Sequence, residues 1–262
     1  MFELVFVLAE EVDSSWRKPE SVTECDIFLF VESGSLFYGI NGQRIALTKG
    51  DFLYIPEGSL RYGLGDRVQG HKKYAVGFRT AAPETAAAIP LLGNREHRLI
   101  HCRNSDYVKQ RFGLLVQMWI GKLPHYQTIC WGILLEMLGI AERESENAHV
   151  PAKKISLVTD IQTYILSHYR EPIRIELLAE LVDRTPNYVT KIFREVTGQT
   201  PIGYLHQVRV ASARDLLLNT HLTIGQVADM MGFCDQSYFN RVYKRIMGHP
   251  PSSLQKEKRA YK

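Results

Sequence analysis

The last hundred residues of the chain contain the same segment twice. Ile175, Leu178, Ala179 and Val182 keep the spacing of one helical face, and Ile224, Val227, Ala228 and Met231 repeat it 49 residues on. A turn follows each: Asp183-Arg184 in the first copy, Gly232-Phe233-Cys234 in the second. Thr185-Pro186 then supplies an N-cap oxygen and the proline favoured at the first helical position, and Asp235 is the matching cap. The next apolar stripes are Val189, Ile192, Phe193, Val196 and Phe239, Val242, Tyr243, Ile246, at a shift of 50. The second copy therefore gains one residue in its turn. TGQTP at 197–201 and MGHPP at 247–251 close the two copies alike.

Helix, short turn, capped helix is the helix-turn-helix pattern. Burying each apolar stripe leaves a polar face on the second helix. In copy one that face holds Asn187, Thr190, Lys191 and Arg194; in copy two it holds Gln236, Ser237, Asn240, Arg241, Lys244 and Arg245. Asn and Gln pair bidentately with adenine, Arg with guanine, and Ser or Thr with either, so these are the side chains of a major-groove reader. A helix N-terminus also favours phosphate. The charge is distributed accordingly. Residues 151–262 carry 16 Lys and Arg against 10 Asp and Glu, whereas residues 1–150 carry 16 against 18. A basic half beside a mildly acidic one points to a single polyanion-binding half.

The first hundred residues read as β. DIFLFVES, GSLFYGI, QRIAL, FLYI and KKYAVGF are rich in aromatic and β-branched residues and are separated by turn signals. Asn41-Gly42 is the strongest of these, because both central residues of a type I′ turn need positive φ. Many short strands suggest a sandwich or a small barrel. From Ser105 the period changes to helical. Val108, Phe112, Leu115 and Trp119 share one face, and Ile129, Ile133, Met137 and Ile140 share another. The expected organisation is a β domain with two following helices over 1–143, a polar linker over 144–154 and an all-α domain over 155–262.

TIGQVADMMGFCDQSYFNRVYKRIMGHPPSSLQK, 223–256, resembles the signature of the AraC/XylS family of transcription regulators, and YLHQVRVASARDLLLNT, 204–220, resembles the helix joining that family's two helix-turn-helix units. The resemblance covers about 155–260. It implies two recognition helices set in successive major-groove faces. By position it makes Asn187, Thr190 and Lys191 base readers in the first unit, and Gln236, Ser237, Tyr238 and Arg241 in the second. The first recognition helix begins Pro-Asn, which implies fewer base contacts there and more phosphate contacts. GDFLYIPEGSLRY and the Asn-Gly hairpin resemble the cupin-type sensor domain of the same family. The overall fold expected is α+β: a cupin-like β-barrel with two helices, then an all-α double helix-turn-helix domain.

That resemblance implies a regulator of promoter DNA, modulated by a small-molecule effector in the barrel, homodimeric through helices 105–143, and in contact with RNA polymerase if it activates. Phe30, Tyr38, Tyr54, Tyr62 and Phe78 are candidates to line the effector pocket, with Arg61 or Lys73 as polar partner. Early Trp16-Arg17 is a candidate arm over it. Two other classes are weighed: a metal-dependent cupin enzyme directed to nucleic acid, and a regulator with no effector. The histidine pair of enzymatic cupins is absent after Gly34, and Leu60-Arg61-Tyr62 stands in the second histidine region. His97 and His101 have the i, i+4 spacing of a zinc pair if HRLIH is helical. No metal or cofactor and no catalytic residue is expected. FELVFVLA lacks a basic n-region, the longest apolar run is too short to span a bilayer, and the four cysteines show no metal spacing; these point to a cytoplasmic chain with reduced thiols and no membrane partner.

Overall fold

DIFLFVES forms strand β3 (Asp26–Ser33), and Asp26 to Val31 are all buried. Strand side chains alternate between two faces, so unbroken burial means that both faces are covered. Ile27, Leu29 and Val31 join one core with Leu36, Tyr38 and Ile40 of β4 (Ser35–Ile40) and Ile45 and Leu47 of β5 (Gln43–Thr48). Phe28 and Phe30 join another with Phe112 and Leu115 of a helix over Ser105–Gly121 and Ile133 and Met137 of a helix over Tyr126–Glu146. A computed structural model describes residues 2–80 and 89–254, and the chain divides between His149 and Val150 into two compact units.

The first unit contains two antiparallel sheets. One has the order β1 (Phe2–Val12), β8 (His71–Thr80), β3, β6 (Asp51–Ile55), β9 (Arg98–His101); the other has β2 (Arg17–Val22), β7 (Leu60–Gly65), β4, β5. The expected Asn-Gly hairpin joins β4 to β5. Asn41 and Gly42 have φ of 49° and 84°, and Ile40 faces Gln43 across the turn. Among the described residues no strand pair links the sheets, so the expected barrel is an open sandwich. The composition of β2 explains one open edge. Pro19 has no N–H to donate, and the β2–β7 register breaks between Lys18 and Ser21.

Three helices cover the outer face of the five-stranded sheet: α1 (Pro90–Gly93), α2 (Ser105–Gly121) and α3 (Tyr126–Glu146). Phe112 is their centre. Its ring lies 5.8 Å from Phe30 at 8° between planes, 5.7 Å from Tyr74 and 6.2 Å from Phe28. Truncating a buried phenylalanine of this kind to alanine costs about 3–5 kcal/mol.

The second unit is helical throughout: α4 (Ala152–His168), α5 (Ile175–Leu181), α6 (Pro186–Thr197), α7 (Pro201–Asn219), α8 (Ile224–Met230) and α9 (Gln236–Met247). It has two small cores. Val158, Ile161, Leu178, Val189 and Phe193 form the first, together with Leu205. Val210, Ala213, Leu217, Val227, Phe239 and Val242 form the second. Helix α7 thus supplies its N-terminal end to one core and the rest to the other. The stretch 144–154 expected as linker is largely helical: α3 runs to Glu146 and α4 begins at Ala152. Among the described residues no helix is long and apolar enough to cross a membrane.

Candidate functional site

The repeat read from spacing is a repeat in structure. From 188 to 200 and from 238 to 250 the succession of buried, half-buried and exposed residues is identical, position by position. Thr185 Oγ1 accepts from the Tyr188 N–H at 3.3 Å, and Asp235 Oδ1 accepts from the Tyr238 N–H at 2.7 Å. Gly198 and Gly248 end the two helices in the left-handed region, at φ 76° and 80°. The turns match as well. The left-handed position is Asp183 in the first copy, at φ 52°, and Gly232 in the second, at φ 75°. A Cβ on Gly232 would lie 2.3 Å from the Arg170 carbonyl oxygen. Only glycine fits the second turn, whereas the first accepts a side chain at some strain.

Each second helix exposes part of the expected set. Asn187, Lys191 and Arg194 are exposed on α6; Gln236, Ser237, Arg241, Lys244 and Arg245 are exposed on α9. Three expected readers are placed differently. Thr190 is half-buried and its hydroxyl donates to the Pro186 carbonyl at 2.9 Å. Asn240 is half-buried, and its Oδ1 is buried without a hydrogen-bond partner. Tyr238 packs its ring edge-on to His206 and tilted against Phe233, with its hydroxyl 3.4 Å from His206 Nε2. It braces the second unit, because position 238 falls beside the buried stripe of α9 rather than opposite it.

Behind α9 lie two residues that the spacing of polar groups did not single out. His206 and Arg209 of α7 are 7% and 6% exposed. Arg209 donates to the Tyr169 carbonyl at 2.6 Å and to the Glu171 carbonyl at 2.7 Å, and its guanidinium lies 5.4 Å from the Phe233 ring centre. It thereby satisfies carbonyls at the C-terminal end of α4, where a helix has no partners of its own. Burial pushes the His206 imidazole down to about 4, helped by the nearby Arg209 and Arg245 charges. Both residues sit on the apolar stripe with Val210, Ala213 and Leu217, and a charged residue on a core stripe was the available signal.

In the first unit the candidate pocket residues separate. Phe30, Tyr54 and Phe78 belong to the core under the helices, on the far face of the five-stranded sheet. Tyr62 lies over Gly39, where a Cβ would meet its ring at 2.0 Å, while its neighbour Arg61 turns inward. These four are corrected as pocket residues: strand alternation sends them away from the space between the sheets. Tyr38, Arg61 and Lys73 do line a cavity there of about 350 Å³, with Phe6, Leu8, Glu10, Trp16, Arg17, Lys18 and Ala75. Gly63 admits Trp16 to this space, since a Cβ on it would lie 2.4 Å from the indole.

The cavity is electropositive. Lys73 is only 2% exposed; its Nζ is 2.7 Å from Glu10 Oε2, 3.0 Å from His71 Nε2 and 3.7 Å from the Trp16 ring centre. Burial holds Lys73 below the usual lysine value, against the favourable Glu10 contact. Burial lowers Lys18 and Arg61 too, and Arg61 adds to the effect on Lys18. His71 is pushed down to about 4, first by burial and then by Lys73, so it is neutral and accepts from the ammonium. Arg61 Nε is buried without a hydrogen-bond partner.

HRLIH is not helical. His101 ends strand β9, and its Nδ1 pairs with Asp51 Oδ1 at 2.8 Å. Among the described residues no group of three or more His, Cys, Asp or Glu is placed to hold a metal ion.

A family profile described as "Helix-turn-helix domain" matches residues 178–257. The chain is 30% identical over 246 residues to the HTH-type transcriptional regulator YisR of Bacillus subtilis, covering 87% of this chain and 84% of that protein. It is 22% identical over 253 residues to the Msm operon regulatory protein of Streptococcus mutans, covering 95% and 90% of the two chains. It is 26% identical over 224 residues to the arabinose operon regulatory protein of Salmonella typhimurium, covering 82% and 77%.

Proposed function

The chain belongs to the AraC/XylS family of sequence-specific, DNA-binding transcription regulators, and from that premise we propose which of its residues read DNA and what controls them. The carrying observation is the fifty-residue repetition of capping, burial and exposure in α6 and α9. Asn187, Lys191 and Arg194 face DNA from the first helix-turn-helix; Gln236, Ser237, Arg241 and Lys244 face it from the second helix-turn-helix. Arg241 and Gln236 have the donor geometry for bidentate base contacts, and Lys191, Arg194 and Lys244 suit phosphates. Tyr238, Thr190 and Asn240 hold the helix that presents the others.

The space between the sheets of the cupin-like first unit holds a small-molecule effector. Supporting this are its volume and its mixed apolar and cationic lining. A ligand shifts DNA occupancy by no more than its difference in affinity for the DNA-bound and free arrangements. The regulator acts as a homodimer through α2 and α3, where Ile120 near the end of α2, Leu123 in the connecting turn and Ile129 in the first turn of α3 are exposed. It meets RNA polymerase if it activates.

Fluorescence anisotropy of the full-length protein on its own upstream DNA and on a shuffled duplex, each at two salt concentrations, tests the DNA reading. Tighter binding to the upstream duplex that survives higher salt is expected. Equal binding that salt abolishes on both would leave only phosphate contacts and defeat the assignment of base readers.

A further inference from the structure

The four-stranded and five-stranded sheets enclose more positive charge than their own carboxylates answer. Four cationic side chains line the cavity, Arg17, Lys18, Arg61 and Lys73, and one acidic side chain, Glu10. That acid already accepts from Lys73 at 2.7 Å, and its side chain is 37% exposed, so water screens what it offers the others. Arg61 keeps a buried Nε–H with no acceptor. A buried donor without a partner is uncommon in folded proteins and marks a place where another group belongs. We propose that the cavity binds a small organic anion, a carboxylate or a phosphate ester, through Arg61, Lys18 and Lys73.

This rests on the effector reading and specifies its chemistry. The remaining walls fit the body of such a molecule. Phe6, Leu8 and Ala75 are apolar, and Tyr38 adds an aromatic side chain that carries a hydroxyl. The volume of about 350 Å³ lies near the lower end of the roughly 300–1,000 Å³ usual for small-molecule sites. The face of Trp16, the largest aromatic side chain of the lining, argues against a neutral ring stacked on it. Lys73 Nζ sits 3.7 Å from the centre of the Trp16 ring, so that face is already covered by a cation. The other contacts of Trp16 are edge-on, to Tyr38 at 6.0 Å and to His71 at 5.0 Å. His71 is neutral and adds no charge, and its Nε2 holds the Lys73 ammonium at 3.0 Å. An anion beside Arg61 therefore replaces water around three desolvated cations, which is the environment in which charge-assisted bonds are strongest. Lysines whose ionisation burial disfavours also gain protonation when an anion arrives, so binding takes up protons at high pH.

The test uses full-length protein at constant ionic strength and a panel of matched pairs: phenylacetate with phenylacetamide, glucose 6-phosphate with glucose, and further carboxylates and phosphate esters each with its neutral counterpart. Thermal shift and tryptophan fluorescence report binding, and anisotropy on the upstream duplex reports its effect on DNA. We expect saturable binding by at least one anion and by none of the neutral partners, weakened about tenfold or more in Arg61→Gln and in Lys73→Met, and partly kept in Arg61→Lys. The carboxylate and phosphate arms tell which anion it is. If a neutral compound binds as well as its anionic partner and alters DNA binding, the anion class is wrong while the effector reading stands. If anions bind equally to wild type and both variants, they bind elsewhere and the proposal fails. If no compound of either kind binds, the proposal and the effector reading fail together. Lys18→Met, on an edge strand, serves as the third variant should Arg61→Gln not fold.

Discussion

Arg209 donates its Nε hydrogen to the carbonyl of Tyr169, 40 residues earlier, at 2.6 Å. The bond joins the middle of α7 to the end of α4, and a second bond from the same guanidinium reaches Glu171 at 2.7 Å. Charged hydrogen bonds of this kind are worth about 1.5–3 kcal/mol each in context, and losing one leaves its partner short. Arg209→Met should therefore destabilise the helical unit by about 2–4 kcal/mol. Hydrogen exchange would show this as lost protection across α4, α7 and α9 with the first unit unaffected; undiminished protection would mean that water serves those carbonyls equally well.

The two turns respond oppositely to substitution. Gly232 has φ 75°, and a Cβ there meets the Arg170 carbonyl at 2.3 Å. Gly232→Ala should cost at least about 2 kcal/mol, combining left-handed strain with a backbone clash. Asp183 has φ 52° and is exposed, so Asp183→Gly should be neutral or stabilising by up to about 1 kcal/mol. Denaturant midpoints of the two variants measure the contrast, and similar losses in both would show that the turns are not equivalent.

At the DNA surface, Arg241 and Lys244 are one helical turn apart and both exposed. Arg241→Ala should cost about 1–3 kcal/mol and relax preference at one base pair. Lys244→Ala should weaken all sequences alike and reduce the salt slope by about one unit. Anisotropy over a single-base-substituted duplex set separates them. An equal loss on every duplex for Arg241→Ala would make it a phosphate contact instead.

His206 makes the helical unit sensitive to mild acid. Its imidazole is pushed from 6.5 down to about 4 by burial first and by the Arg209 and Arg245 charges next. Between those values the unfolded chain binds a proton at this position that the folded chain does not, so stability declines as pH falls from about 6.5 towards about 4 and is fully present above that window. Unfolding measured across this range should give a shallower pH slope in His206→Gln than in wild type. The same slope in both proteins would assign the acid sensitivity to other groups.

The helix-turn-helix units were legible because everything that specifies them is local. The apolar spacing, the caps Thr185 and Asp235 and the stop glycines Gly198 and Gly248 all lie within a few residues of the helices they shape. The extra residue of the second turn was countable from the shift alone. Strands β3, β4, β5, β6 and β8 were legible for a similar reason, and so was the Asn-Gly hairpin. Strand β2 was not. Its sequence RKPESV carries no alternating apolar face, and it exists through pairing with β7. The segment HRLIH read equally well as helix until Asp51 to Tyr54 paired with it.

By itself the sequence determined the class of the chain, the repeated reader and the polar residues each reader exposes, since period, cap and turn chemistry act over one or two helical turns. Tertiary structure decided which aromatic faces which core. Phe30 and Tyr38 look alike as strand aromatics, yet one packs under the helices and the other lines the cavity. Arg61 and Tyr62 are neighbours, yet they point to opposite faces of their sheet. The contact of Lys73 with Trp16 depends on strands paired across long separations, where a shift of one residue would reverse every side chain. The cavity's charge is a property of that register, and local spacing carries no record of it.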